Sequence, residues 1–158
     1  KLNQNIVVDI SFYHLEVSEF KIAVPKLLEK AFSSGFKIVL RFGNPKLMEQ
    51  LDKDLWSYEE KAFLPHGSKK MGFESDQPIY LTCENDNPSS AKLLFLLNDA
   101  SSEGIESYDR VLNMFDGHSE EMIKRARERW KLYNDMGHRL KYFQQNESGV
   151  WEMKLASS

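Results

Sequence analysis

The chain of 158 residues has one cysteine, Cys83. An intramolecular disulfide is excluded, and a reducing compartment is the simplest setting. No apolar run approaches the roughly 18 residues that a membrane-crossing helix needs. The opening KLNQN lacks the apolar core of a signal peptide, so a cytoplasmic protein with no membrane partner is expected. A basic excess is also missing, since the net charge is -3. Proteins whose main task is to hold nucleic acid are usually basic overall, so no direct nucleic-acid partner is expected.

Glycine is absent where a nucleotide would need it. The turn after the first predicted strand reads HLEVSE over 14–19, and neither G-x-G-x-x-G nor G-x-x-x-x-G-K-[S/T] occurs anywhere. Backbone amides cannot approach a pyrophosphate past these side chains, and Glu16 and Glu19 repel it. The four histidines (His14, His66, His118 and His138) lack metal-ligand spacing, so neither a metal nor another cofactor is expected. Cys83, just after a strand, reads as a small buried side chain. Asp116, Gly117 and His118 read as a turn and helix entry.

What is present is an α/β pattern in one expected domain, 6–155. Strand patterns fall at 6–15, 37–42, 77–82, 92–97 and 110–115. A helix pattern after Ser18, read as its N-cap, ends at Gly35. Pro25 lies inside it, which predicts a first-turn position or a kink and allows a later start. Asn44 and Pro45 open a second helix carrying Leu47, Leu51, Leu55 and Trp56. Alternating strands and helices predict βαβ units on a mostly parallel sheet. Residues 68–76 read as a polar loop, and 105–109 as a helical turn. At the end, 140–144 and 150–154 flank a short Gly-containing loop, a β-hairpin.

The third helix, capped by Ser119 and broken at Gly137, is the most informative segment. At about 100° per residue, Met122, Ile123, Ala126, Trp130 and Tyr133 share one sector, the expected sheet-packing face. Lys124, Arg127 and Lys131 form a narrow stripe beside Trp130, and Arg125 and Arg129 lie on the opposite shoulder. Two readings stand. The bases form a solvated face offset by Glu120, Glu121 and Glu128, or they form an electropositive ledge beside an aromatic edge. Such a ledge suits an acidic peptide with an apolar end. Trp56 and Phe63 read equally as core or as anchors for a partner.

Residue by residue, the chain resembles the chi subunit family of bacterial DNA polymerase III, part of the clamp-loader complex. The resemblance rests on Phe12, Tyr13 and Leu15; on Leu51, Asp52, Leu55 and Trp56 followed by Phe63, Pro65 and His66; and on Pro78 and Ile79. It also rests on Ala126, Arg127, Arg129, Trp130 and Lys131 with Gly137 six residues on. It implies a Rossmann-like three-layer fold and a non-catalytic adaptor. That adaptor binds the acidic C-terminal tail of single-stranded DNA-binding protein (SSB), which ends in Asp-Ile-Pro-Phe. It also binds a second partner, the psi subunit or an accessory helicase.

The resemblance places tail binding on Arg127, Trp130 and Lys131, with Trp130 where the family usually has Tyr. A family lysine aligns with Ile123, and the adjacent Lys124 is its expected substitute. Trp56 and Phe63 match the second interface, and a family Val there aligns with Asp116. The rival expectation is a small α/β enzyme or nucleotide-binding protein using the strand C-termini around His14 and His118.

Overall fold

The computed structural model describes residues 6–58, 65–71 and 77–157. The strands are β1 (Asp9–Leu15), β2 (Ile38–Arg41), β3 (His66–Ser68), β4 (Ile79–Thr82), β5 (Leu93–Leu97), β6 (Arg110–Asp116), β7 (Arg139–Gln145) and β8 (Trp151–Ala156). The helices are α1 (Phe20–Ser33), α2 (Pro45–Trp56) and α3 (Glu120–Asp135). The strands form one sheet in the order β3-β4-β2-β5-β6-β1-β7-β8. All pairings are parallel except β7 with β8, the C-terminal hairpin. This is the expected Rossmann-like α/β architecture. Among the described residues, no helix is long and apolar enough to cross a membrane.

Hydrophobic pattern explains the layers. β2 and β5 are buried along their whole length, as near-continuous apolar runs in a doubly covered parallel sheet must be. One sheet face carries Ile10, Phe12, Val111 and Phe115 against Ala126 and Tyr133 of α3. The other carries Leu40, Leu81, Phe95 and Met114 against Val24 and Leu28 of α1 and Leu51 and Leu55 of α2. α1 and α2 therefore cover one face and α3 the other.

The helix ends follow local chemistry. Asn44 Oδ1 accepts from Leu47 N–H at 2.8 Å, with Pro45 at the first helical position. Ser119 Oγ accepts from Met122 N–H at 3.2 Å. α1 and α3 close alike: Gly35 and Gly137 have φ of +90° and +88°, and Phe36 and His138 donate back to the Ala31 and Tyr133 carbonyls at 3.2 and 3.1 Å.

Two readings are corrected. Ser18 is not the cap of α1: Glu19 is, with extended backbone and no side-chain cap bond. The Ser18 hydroxyl instead accepts from Gln145 Nε2 at 2.9 Å. The later start that Pro25 allows is found, by one residue: α1 begins at Phe20 and carries Pro25 buried in its second turn. The loop predicted from residue 68 begins later as well. His66–Ser68 is a strand made by pairing with β4, and Lys69–Met71 form a 3-10 turn. Three residues, one of them glycine, show no periodicity of their own.

Candidate functional site: a basic and aromatic ledge on α3

α3 buries Ala126 and Tyr133, with Met122, Ile123 and Trp130 partly buried beside them. That is the face its periodicity predicts. Its two basic shoulders differ. Arg125 Nη2 donates to Glu121 at 3.0 Å, and Arg125 Nε lies 4.0 Å from Asp99. Arg129 donates to Asn113 Oδ1 at 3.1 Å and to the Ala100 carbonyl. Burial pushes the Arg129 guanidinium pKa down. Both arginines are engaged by the protein's own acceptors. Lys124, Arg127 and Lys131 are exposed and have no ion pair or hydrogen bond among the described residues.

Trp130 forms the apolar border of this free stripe. Its ring centroid lies 5.6 Å from Phe12 and 5.9 Å from Tyr142, meeting the latter at 71°. Such edge-on contacts fix an aromatic ring beyond simple area burial. Behind it, Tyr142 Oη lies 2.8 Å from His14 Nδ1, and His14 Nε2 lies 3.0 Å from Glu16 Oε1. That carboxylate oxygen also accepts from Gln144 Nε2 at 2.7 Å.

Electrostatics follow from these neighbours. Burial holds the His14 pKa below its ordinary value; Glu16 opposes the shift and Arg127 adds to it. Burial also pushes the Tyr142 hydroxyl up to about 12. At neutral pH the ledge thus presents uncharged His14 and Tyr142 beside cationic Arg127.

The structure brings Arg127, Trp130, Lys131 and Lys124 onto one border of α3. Ile123 packs partly against the core, and the neighbouring Lys124 is an exposed base on the Arg127 side of that turn. His14 and Tyr142 were not placed at this ledge by sequence. Alternation in β7 puts Leu140, Tyr142 and Gln144 on one face, but nothing local shows that this face meets Trp130. The contact depends on β7 lying beside β1, which brings together residues 128 apart in sequence.

Trp56 lies elsewhere. It ends α2 with 51% of its surface exposed, and its ring centroid is 4.4 Å from that of His66. The α2 core face is supplied by Leu51 and Leu55, so Trp56 belongs to the surface. Phe63 falls outside the described residues. From β3, near Trp56, to β7, near Trp130, the sheet order gives six strand steps, or about 29 Å at the usual strand spacing. The two tryptophans also sit on helices covering opposite faces.

The strand C-termini have a different character. The amides of Glu16, Val17 and Ser18 all donate to Gln145 Oε1, at 3.1, 2.9 and 3.0 Å. Converging amides at a strand-to-helix turn are what a phosphate uses in nucleotide folds. Here a buried side chain occupies them. The adjoining cleft of about 470 Å³ is bordered by Glu19, Asp54 and Asp116, together with Lys21 and His118. Asp116 Oδ1 accepts from His118 N–H at 2.9 Å, which makes this segment a turn. Among the described residues no group of three or more His, Cys, Asp or Glu side chains is arranged to hold a metal ion. Cys83 is partly buried, and burial pushes its thiol pKa up.

Fold and site together define a Rossmann-like α/β protein with a filled amide turn and a free basic stripe beside an aromatic edge. Residues 8–141 match the family model described as DNA polymerase III chi subunit, HolC. The chain is 30% identical over 156 residues to the probable DNA polymerase III subunit chi of Rickettsia prowazekii, covering 94% of this chain and 93% of that protein. It is 25% identical over 116 residues to the DNA polymerase III subunit chi of Pseudomonas aeruginosa, covering 73% and 79%. The chain belongs to the DNA polymerase III chi subunit family, accessory subunits of the replicase.

Proposed function

We propose that this chain is a non-catalytic, cytoplasmic adaptor of one domain, 6–155, that binds the acidic C-terminal tail of SSB and links it to the clamp loader. Arg127, Lys131 and Lys124 hold the carboxylates of the tail, and Trp130 borders the pocket for its terminal phenylalanine. One observation carries the reading: of the two basic shoulders of α3, the one beside Trp130 has no ion pair or hydrogen bond among the described residues, and both arginines of the other have acceptors within the protein. Unpaired guanidinium and ammonium groups beside an aromatic edge are complementary to carboxylates followed by an apolar side chain.

A second surface, with Trp56 and Phe63, takes the psi subunit or an accessory helicase. Asp116, aligned where the family has Val, lies in the cleft that also includes Leu47, Gln50 and Asp54 of α2. Calorimetric titration with a peptide ending in Asp-Ile-Pro-Phe tests the reading. Binding on the order of micromolar, weakened by salt, is expected. Absence of binding at low salt contradicts it.

A further inference from the structure

The family match ends at residue 141, within β7. β8 lies beyond it, and the site residues named from the resemblance all precede that strand. The hairpin register sets Leu155 opposite Tyr142 and Met153 opposite Phe143, with an irregularity between the two pairs. Residues directly opposed across an antiparallel pair share a face. The extra residue of the bulge therefore sends Leu155 and Met153 to opposite faces. Tyr142 packs on Trp130, on the α3 face, and Phe143 stacks on Tyr13, on the other. Leu155 shares the face of the ledge and Met153 does not, although each is 56% exposed.

Trp130, Tyr142 and Leu155 thus form a continuous apolar strip from α3 across β7 to the sheet edge. Its helix side is bordered by the exposed Arg127, Lys131 and Lys124. We infer that β8 is the second wall of the ledge. Leu155 takes an apolar side chain of the bound acidic tail, while the α3 bases hold its carboxylates. The inference rests on the tail-binding reading of this site. Charge complementarity selects the occupant: three exposed bases without partners among the described residues border the strip, and a strip two strands wide fits one extended chain. A second copy seated symmetrically on the same face would bring its own three bases against these, a like-charge contact that disfavours pairing.

The test is titration of the whole chain with a peptide ending in Asp-Ile-Pro-Phe. The variants are Leu155→Ser and, as a control on the opposite face of the same strand, Met153→Ser. Leu155→Ser is expected to weaken binding about fivefold, the effect of losing contact with roughly half a leucine side chain. Met153→Ser is expected to bind as the parent does. Amide chemical shifts of residues 152–156 should move on peptide addition, which reads the contact without a substitution. If the parent binds and Leu155→Ser matches it with those shifts still, β8 is not a wall and the inference fails alone. Equal weakening by both variants assigns the effect to the hairpin fold and also overturns it. A parent that does not bind the peptide removes the tail-binding reading, and this inference with it. A parent that sediments as a dimer, and becomes monomeric as Leu155→Ser, assigns the strip to self-association and overturns the proposal.

Discussion

Replacing Gln145, at the end of β7, with alanine should destabilise the protein more than truncating any polar side chain of the β1–α1 turn itself. Its Oε1 accepts three consecutive amides, those of Glu16, Val17 and Ser18, at 3.1, 2.9 and 3.0 Å. Its Nε2 donates to Ser18 Oγ at 2.9 Å and to the Gly149 carbonyl at 3.3 Å. The residue is 5% exposed, so water does not reach its position freely. A net hydrogen bond contributes about 1 kcal/mol, and a buried donor left unmatched costs about 1–3 kcal/mol. Val17 is exposed and Glu16 and Ser18 are half-buried, so solvent recovers part of the loss. About 3 kcal/mol remains, or a drop in Tm of about 6–12 °C for a chain of this length. Thermal and urea denaturation would measure it. Gln145→Glu keeps an acceptor for the three amides, with a favourable charge next to the α1 N-terminus, and should lose less. A loss below about 1 kcal/mol for alanine, or a larger loss for glutamate, would refute the reasoning.

Gly117→Ala should be strongly destabilising, by about 3 kcal/mol or more in urea denaturation. An added Cβ would lie 2.0 Å from the Leu15 carbonyl oxygen and 2.4 Å from His14 Nε2; parent-like stability would contradict that packing. Stability should fall as pH is lowered below about 6.5, the ordinary histidine value, because burial depresses the His14 pKa in the folded chain. The unfolded chain then takes up the proton first, and the contribution of neutral His14 is lost as pH falls toward its folded pKa. Denaturation midpoints of the parent and His14→Gln between about pH 7 and pH 5 check this, and equal slopes would count against it. Trp56→Ala should leave tail-peptide affinity unchanged and weaken capture of the second partner. Equal loss of both would argue against two separate surfaces.

The fold was legible in the sequence where local chemistry is decisive. The apolar runs of β2 and β5, the Asn44–Pro45 start of α2, and the Ser119 cap and Gly137 stop of α3 are each read from a few adjacent residues. Ser18 was misread because its hydroxyl is taken by Gln145, 127 residues away, and no local pattern reports such a partner. β3 escaped because three residues carry no period. At the site, helical periodicity separated the two shoulders of α3. Only the structure shows that Arg129 reaches Asn113 and Ala100 while Arg127 stays open, because those acceptors come from β6 and the segment after β5. Tyr142 and His14 joined the ledge through the β1–β7 pairing, which sequence order does not reveal.

The difference between the two basic shoulders is the central claim, and one comparison tests it directly. Titration of the tail peptide into Arg127→Ala and Arg125→Ala at low salt sets an open arginine against one already paired with Glu121. Arg127→Ala should bind about tenfold or more weakly, consistent with losing a charge-assisted hydrogen bond, and Arg125→Ala should bind within about twofold of the parent. Equal loss in both, or unchanged binding by Arg127→Ala, would contradict the account.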